Sequence, residues 1–342
     1  MIGVDISDRS IKMVQLSESL PRQLLAHCVE FISEGAITNG QIEQPATVEK
    51  YLRKVVEQCT ISSASSEAIV ASISETQSFL RVVEIPDMSE EEISEAIQWE
   101  VAQHIPFGLE NVYIDWQDVP ARGHVTGAGK REVQVGAAQK KVVDALYDVL
   151  STLKIDIAAF ELESQAIVRA LISPSLKARQ GLLIVDLGAS ATNVVVHDHG
   201  AMRFTATLQK GVHNMAKSLP DSDAELVIYK LHVLKQDQLE RLSTRLLPAL
   251  EELAVEIRGI VEFYNSIDAQ HEVKEIIVTG GGSNIPGLDT ALLKYFEDVH
   301  IQRGNPWVNI LPTSALNKPP IDMRDAVRFA TALGLALRPV II

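Results

Sequence analysis

The sequence contains little cysteine, few aromatic residues and no long apolar run. Its 342 residues include two cysteines, and Phe, Trp and Tyr together make up 5%. Two cysteines do not imply a disulfide framework, so we predict that Cys28 and Cys59 are reduced core residues in a reducing compartment. No run reaches the roughly 18 apolar residues of a membrane span. A strand-like segment begins at Ile2, so we predict no signal peptide either.

Positive charge is also scarce. The formal net charge is −14, from 31 Lys and Arg against 45 Asp and Glu. Nucleic-acid binding rests on the neutralisation of phosphates by Lys and Arg, so this balance argues against a nucleic-acid partner and against general attraction to anionic lipid. It does not exclude a nucleotide, because backbone N–H groups in turns and at helix starts bind phosphate locally. The length is sufficient for two or more domains with a large core.

A repeated element is the strongest positive feature of the sequence. The segments IGVDISDRSIKMV (2–14) and IVDLGASATNVVV (184–196) each contain an apolar strand, an Asp, a turn of small polar residues and a second apolar strand. Superposing Asp5 on Asp186 places Ser7 on Gly188. A third segment, VTGGGSN (278–284), follows another apolar strand and precedes a helix. These elements together predict a two-lobed clamp for phosphate, and therefore a nucleotide-binding protein.

Strands alternate with helices along the chain, which predicts an α/β protein with two mixed or parallel sheets covered by helices. Between the two repeats lies a strand–helix–strand–strand–helix block. Its helix, predicted over Ser89–His104, begins with a capping box formed by Ser89 and Glu92. We therefore predict a first lobe core at 1–78, an inserted α+β subdomain at 79–153, and a second lobe at 154–342 whose C-terminal helix, 322–338, returns to the first lobe.

Two acidic residues occupy matching turn positions. Asp5 and Asp186 would face each other across the cleft and repel unless a cation lies between them. Hydrated Mg²⁺ fits, because it keeps several waters and is bound through a few carboxylates and phosphates. The alternative is that each Asp caps its own turn. The repeated context favours the metal site.

Other residues are candidates for the remaining parts of the site, each with a second interpretation. Glu163 would orient a water for hydrolysis, or is a solvated helix acid; it is the one catalytic candidate. The glycines at 280–282 would leave a flat surface for a purine or ribose, or simply form a tight turn. Glu225 and Lys230 would flank a nucleoside, or form a surface pair. The predicted cofactor-binding residues are Ser7, Asp8, Ser10, Lys12, Gly188, Ala189, Ser190, Gly211, Glu225, Lys230, Gly280, Gly281, Gly282 and Ser283.

In this order, the three elements resemble the phosphate-1, phosphate-2 and adenosine motifs of the actin-like ATPase fold. The block IPDMSEEEISEAIQWEVAQHIPFGLENVYIDWQDV (85–119) resembles the inserted subdomain of the PilM family of type IV pilus assembly proteins. ATALGLALR (330–338) resembles the closing helix of that family. The resemblance extends over essentially the whole chain. The cell-division protein FtsA has the same general architecture but usually ends in an amphipathic membrane-binding helix, for which PVII (339–342) is too short.

The resemblance implies ATP and Mg²⁺ as ligands. It places Asp5, Ser7 and Lys12 near phosphate and metal, with Asp186 and Gly188 opposite and the segment 280–283 at the nucleoside. Arg9 departs from the family pattern, because small or hydroxyl residues are more usual in the first turn, and this departure puts tight ATP binding in question.

The function implied by the resemblance is that of an ATP-binding scaffold with weak or absent ATPase activity. It would be cytoplasmic and peripheral to the inner membrane, without inserting into it. It would hold the N-terminal peptide of the single-span protein PilN between the first lobe and the inserted subdomain, with pockets near Trp99–Leu109. Two alternatives share the fold: a small-molecule kinase, which would turn over at about 1–100 per second, and a filament-forming protein like FtsA. Self-association is a further hypothesis.

Overall fold

The computed structural model describes residues 1–61, 67–102, 108–120, 129–173, 181–267, 272–311 and 319–339. The elements of the first half are β1 (Ile2–Ser7), β2 (Ser10–Leu16), β3 (Leu24–Phe31), β4 (Ile37–Thr38), β5 (Gln41–Ile42), α1 (Pro45–Gln58), β6 (Ile69–Ile73), β7 (Ser78–Pro86), α2 (Glu90–Ala102), β8 (Val112–Asp118), β9 (Lys130–Gln139), α3 (Lys140–Ser151), β10 (Ile157–Leu162) and α4 (Glu163–Leu171). Those of the second half are β11 (Leu182–Leu187), β12 (Thr192–Asp198), β13 (Ala201–Leu208), α5 (Val212–Ala216), α6 (Asp221–Tyr229), α7 (Gln236–Ile267), β14 (Glu275–Thr279), α8 (Leu288–Leu293), β15 (His300–Arg303), α9 (Met323–Ala326) and α10 (Ala330–Ala336).

Two five-stranded sheets share one topology. The first has the order β3-β2-β1-β6-β10 and the second the order β13-β12-β11-β14-β15. In each, three strands form an antiparallel meander and the last two add in parallel. The central strands β1 and β11 are almost entirely buried, which is why they appear in the sequence as apolar runs rather than as alternating patterns. The predicted duplication of mixed-sheet cores is confirmed.

The inserted sheet has the order β7-β9-β8 and is antiparallel. Helix α2 covers one face of this sheet with Ile93, Ile97 and Val101, which recur at helical spacing. Its predicted capping box is present, because the Ser89 N–H donates to Glu92 Oε2 at 2.9 Å and the Glu92 N–H donates to Ser89 Oγ at 3.4 Å. The predicted end of this helix falls partly on residues 103–107, which lie outside the described ranges.

The predicted subdomain boundaries need correction. Strand β10 pairs in parallel with β6, so it completes the first sheet, whereas the predicted boundary places it in the second lobe. Helix α3, assigned to the insert, packs Val142, Leu146 and Leu150 into the core of the first lobe. The inserted unit is therefore limited to β7, α2, β8 and β9. Sequence order could not reveal this, because the edge that a strand joins is decided by long-range pairing.

The C-terminal segment returns to the first lobe but is not one continuous helix. A 3-10 turn, Val327–Phe329, separates α9 from α10 and turns both Val327 and Phe329 into the core. Helix α10 then lies directly against the backbone of β1 and α4. A Cβ at Gly3 would come within 2.0 Å of Ala332 O, and one at Gly334 within 1.8 Å of Ala166 O. Glycine at both contacts therefore allows this close packing.

The prediction of two reduced cysteines is wrong. Cys28 on β3 and Cys59 at the end of α1 form a disulfide, with their Cα atoms 5.8 Å apart. Cys59 is only 4% exposed, so it does belong to the core as expected. Helix α1 packs across β3 and brings together residues that are 31 positions apart. Spacing alone could not show this, because disulfide geometry depends on the folded positions of the Cβ atoms.

The long helix α7 has 32 residues and contains Pro248. It buries Leu246, Leu250 and Leu253, which recur at helical spacing, in the core of the second lobe. Across the described ranges, no helix combines the length and the apolar character needed to cross a bilayer.

Candidate functional site

The turns of the two repeated hairpins face one cleft between the lobes. In the first hairpin Asp5 pairs with Lys12, and in the second Asp186 pairs with Asn193. Most of the predicted site residues meet here. Those that line the cleft are Asp5, Ser7, Asp8, Ser10, Lys12, Glu163, Asp186, Gly188, Ala189, Ser190, Gly280, Gly281 and Gly282.

The first-lobe carboxylate already has a cationic partner. Lys12 Nζ donates to Asp5 Oδ2 at 2.7 Å, and the two side chains are 16% and 6% exposed. Ser72 Oγ lies 3.4 Å from the other oxygen of Asp5 and also accepts a hydrogen bond from the Ile6 N–H at 3.1 Å. Asp5 is therefore both oriented and neutralised in this state of the cleft.

The second-lobe carboxylate has a neutral residue opposite. The Asn193 side chain donates to Glu163 Oε2 at 3.1 Å and accepts from Thr207 Oγ1 at 3.0 Å. Burial raises the pKa of Asp186 to about 6, with Lys12 opposing this rise and Asp5 adding to it. Asp186 is thus a carboxylate whose ionised form gains stability from a cation.

Two glutamates deepen the negative charge of the cleft. Glu163 begins α4 and is 9% exposed, and its pKa is raised well above the usual range by burial and by the nearby Asp5, Asp186 and Glu75. Glu75 accepts a hydrogen bond from the Ser164 N–H at 2.9 Å, and burial raises its pKa as well. Lys12 also lines the cleft, and its charge opposes the raised pKa of both Glu163 and Asp186.

This donor set fits hydrated Mg²⁺ bound with a phosphate. In the described ranges, no three His, Cys, Asp or Glu side chains form a ready-made metal site. A cation between Asp5 and Asp186 would therefore take its remaining ligands from phosphate and water, which is how Mg²⁺ is usually held. The observation that supports this fit is that Glu163 and Asp186 are buried beside further carboxylates, which together with burial raise the pKa of each.

The glycine-rich turn is tied to the second hairpin. Gly280 has a φ of +78°, and a Cβ there would lie 2.3 Å from Asp186 Oδ1 and 2.6 Å from Leu187 O. Glycine is therefore required both for the left-handed backbone and for the close approach. Ser283 is fully buried, and its Oγ donates to Gly280 O at 2.7 Å. Ser283 thus supports the turn from behind rather than lining the cleft.

Three further predicted residues support the site or lie apart from it. Gly211 packs behind the second turn, where a Cβ would come within 2.4 Å of Ala189 O. Glu225 and Lys230 form an exposed ion pair at 2.9 Å and do not belong to the cleft lining. Their surface-pair interpretation agrees with this geometry.

Asp8 lines the cleft, but its carboxylate holds a neighbouring loop. It accepts hydrogen bonds from the Asn39 N–H at 3.0 Å and the Gly40 N–H at 2.8 Å. Both acceptor oxygens are therefore already engaged by backbone. Asp8 therefore connects the first turn to the loop that contains Asn39 and Gly40.

Sequence reasoning missed several residues of the cleft. Aligning the two hairpins would have revealed Asn193 as the counterpart of Lys12. Phe31 of the first lobe and Tyr229 of the second had no such signal, because they meet only in the fold. Their ring centroids lie 5.2 Å apart at an interplanar angle of 89°, and the Arg328 guanidinium lies 6.0 Å from the Phe31 ring. Phe31, Tyr229 and Arg328 all line the cleft, as does His232.

A second cavity, of about 600 Å³, lies between the inserted sheet and the two lobes. Hereafter we call it the groove. Strand β8, at the edge of the inserted sheet, and strand β10, at the edge of the first sheet, both contribute to its lining. Its apolar side chains include Ile114, Trp116, Phe160, Val168 and Met202.

An ion cluster also lines the groove. The Glu161 side chain is 1% exposed and pairs with Arg169 and with Arg338, the latter at 3.2 Å. Arg169 also donates to Gly334 O at 2.9 Å. The cluster joins β10, α4 and the end of α10 along one side of the groove.

The fold and the cleft define the class of this protein. Duplicated mixed sheets with an Asp-bearing hairpin on each side of a cleft are the architecture of the actin-like ATPase fold. The ethanolamine utilization protein EutJ from Carboxydothermus hydrogenoformans shares it, with a TM-score of 0.59 and 14% identity over 98% of this chain and 88% of that one. MreB5 of Spiroplasma citri bound to AMPPNP does so with a TM-score of 0.52 and 10% identity over 97% and 93%.

Within this fold, the chain matches one particular family. Residues 3–340 match the family model described as type IV pilus assembly protein PilM. The chain therefore belongs to the PilM family, and the resemblance noted from the sequence is confirmed. A solved PilM-PilN type IV pilus biogenesis complex has the same fold, with a TM-score of 0.81 and 22% identity over 98% of this chain and 97% of that one.

Proposed function

We propose that this protein is an ATP-binding scaffold of the type IV pilus assembly platform. ATP would occupy the cleft with its phosphates between the turns at 7–10 and 188–191, and Mg²⁺ would lie between Asp5 and Asp186. The observation that supports this most directly is the set of buried carboxylates opposed by Lys12. The nucleoside would extend from Gly280–Gly282 toward Tyr229 and Arg328, which also line the cleft.

The setting of Glu163 favours slow hydrolysis. A residue that orients and activates water needs an acceptor oxygen within hydrogen-bond reach of that water. Glu163 is only 9% exposed, and its Oε2 already accepts a hydrogen bond from the Asn193 side chain at 3.1 Å. We therefore expect turnover well below one per second, far under the rates of about 1–100 per second of ordinary kinases. ATP would act as a conformational ligand.

The proposed partner is the N-terminal peptide of a PilN-like membrane protein. PilN is the component named with PilM in the matching complex. The groove has two features that suit an extended peptide: two strands at sheet edges, β8 and β10, and apolar side chains in its lining. Binding there would hold the protein at the cytoplasmic face of the inner membrane.

The groove lies elsewhere than the segment proposed from the sequence. The predicted pockets near Trp99–Leu109 fall partly on residues 103–107, outside the described ranges, and α2 does not contribute to the groove lining. We therefore place the proposed peptide site on β8 and β10.

The test is a titration of the protein with a synthetic peptide of about ten residues from the N-terminus of the PilN-like partner. At about one hundred times the dissociation constant, the gain in stability is roughly 2.7 kcal/mol, visible as a rise in melting temperature. Ile114→Glu places a charge in the groove and should abolish the shift. Leu293→Glu, at an exposed site on α8, is the matched control. An unmoved melting curve in the wild type would refute the partner.

A further inference from the structure

The first turn carries an arginine where the second turn carries a serine. Superposing the two hairpins as in the sequence places Arg9 on Ser190. Arg9 lies in the two-residue turn between Ser7 and Ser10, which pair with each other at the end of the hairpin. Ser190 lines the cleft, whereas Arg9 does not contribute to the lining in this state. A small polar side chain in one turn thus corresponds to a long cationic side chain in the other.

The guanidinium of Arg9 is largely buried but only weakly engaged. The side chain is 17% exposed, and its Nη1 lies 3.0 Å from Glu34 Oε2. The Glu34 side chain is itself 86% exposed. An ion pair with an exposed partner contributes little, because water and salt compete for the charges. The pair therefore holds Arg9 in place while leaving its charge available to a stronger anion.

The charge of Arg9 also acts on the opposite wall of the cleft. His213 belongs to the second lobe and lines the cleft, and its N–H donates to Ala189 O in the second turn at 2.9 Å. Burial lowers the pKa of His213 to about 4, and the positive charge of Arg9 contributes to this shift. Arg9 is therefore close enough to the second lobe for its charge to act across the gap between the two turns.

The basic side chains that already line the cleft are paired or neutral. Within the described ranges they are Lys12, His213, His232 and Arg328. Lys12 pairs with Asp5 at 2.7 Å. Arg328 pairs with Asp325 at 2.6 Å. Burial lowers the pKa of both histidines, so they are uncharged at neutral pH. Mg²⁺ would neutralise part of the charge of a triphosphate, and these side chains offer no unpaired cation for the rest.

We propose that Arg9 binds the terminal phosphate of ATP and thereby makes the cleft prefer ATP to ADP. The inference rests on the function proposed above. The Cα of Arg9 is about 3.8 Å from that of Ser10, which lines the cleft, so its long side chain reaches the space between the turns. A phosphate group with a second pKa near 6 carries about 1.5 to 2 negative charges at neutral pH. Arginine binds such a group through two parallel N–H···O bonds, which are stronger than its contact with the exposed Glu34.

The test compares the dissociation constants of Mg·ATP and Mg·ADP in the wild type and in three variants, measured by calorimetry. Arg9→Ser gives the first turn the side chain of the second. We expect Mg·ATP to bind at least about tenfold more weakly to this variant, and Mg·ADP less than about twofold, because the charge-assisted bond forms only with the triphosphate. Retained Mg·ADP binding also shows that the cleft is folded. Arg53→Ser is the matched control, because Arg53 pairs with Glu49 on α1 and should leave both constants unchanged.

Glu34→Gln separates phosphate binding from a structural role of the ion pair. It removes the competing carboxylate and keeps Arg9, so Mg·ATP should bind at least as tightly as to the wild type. A loss as large as that of Arg9→Ser, in either Glu34→Gln or Arg53→Ser, overturns the proposal. Equal losses of Mg·ATP and Mg·ADP affinity in Arg9→Ser do so too. If the wild type binds neither nucleotide, the proposed function itself fails. If it binds both and Arg9→Ser changes neither constant, only the role of Arg9 fails.

Discussion

The two repeated hairpins have the same register but carry different charges. Asp5 is paired with Lys12 across the first hairpin, and Asp186 is paired with the neutral Asn193 across the second. The consequence is that Asp5 is neutralised by an ion pair, whereas the pKa of Asp186 is raised to about 6 by burial. A duplicated fold has thus produced one lobe whose carboxylate forms an ion pair within its own hairpin and one whose buried carboxylate lies opposite a neutral residue.

The largest effect should come from removing the compensation in the first lobe. Lys12→Met leaves Asp5 buried without a cation, which we expect to lower the free energy of unfolding by about 3–5 kcal/mol at neutral pH. Urea unfolding of the nucleotide-free protein measures this. The double variant Lys12→Met/Asp5→Asn should be less destabilised than the single one. A cost below about 1 kcal/mol for Lys12→Met would mean that Lys12 is not what stabilises Asp5.

The next largest effect should be a loss of Mg·ATP affinity when the carboxylate of the second lobe is removed. Asp186→Asn removes the carboxylate that has no cation of its own, and we expect Mg·ATP to bind at least about tenfold more weakly, equivalent to about 1.4 kcal/mol. ATP without Mg²⁺ should bind no worse, because a negative charge has been removed. Calorimetry measures both affinities.

Asp8→Asn is the matched control, since Asp8 also lines the cleft but its carboxylate is engaged by the Asn39 and Gly40 backbone. Equal losses of affinity in the two variants would remove Asp186 from the metal site.

The smallest expected effect is a pH dependence of stability and of Mg·ATP affinity that comes from the protonation of Asp186. Its pKa is raised from 3.8 to about 6, so the folded protein retains a proton that the unfolded chain releases, and the stability due to this proton is lost as pH rises through that window. A metal must displace the same proton, so Mg·ATP affinity should increase with pH up to about 6, by at most about tenfold per pH unit.

Phosphate itself titrates near pH 6, at about the same position. The informative quantity is therefore the difference in slope between wild type and Asp186→Asn, measured by calorimetry across this range. Identical slopes would show that Asp186 is already ionised when the nucleotide binds.

Much of the cleft was predictable because its residues lie at fixed positions within local elements. The hairpins at 2–14 and 184–196 and the turn at 278–284 were recognisable from apolar strands next to small polar turns, and the structure brings all three to one cleft. Residues that reach the site across long distances were missed. Glu75 is positioned by the pairing of β6 with β1, and Phe31 meets Tyr229 only because the lobes face each other.

The sequence by itself determined the elements of this protein, their duplication and its family, since strand periodicity, turn residues and the 85–119 block are local properties of the chain. Only the tertiary structure decided which sheet β10 completes, that Cys28 meets Cys59, and that Arg203 on β13 pairs with Glu132 on β9 of the inserted sheet. The physical reason is the same in each case. Pairing energies between distant segments depend on how edges and buried charges meet in space, and spacing along the chain does not carry that information.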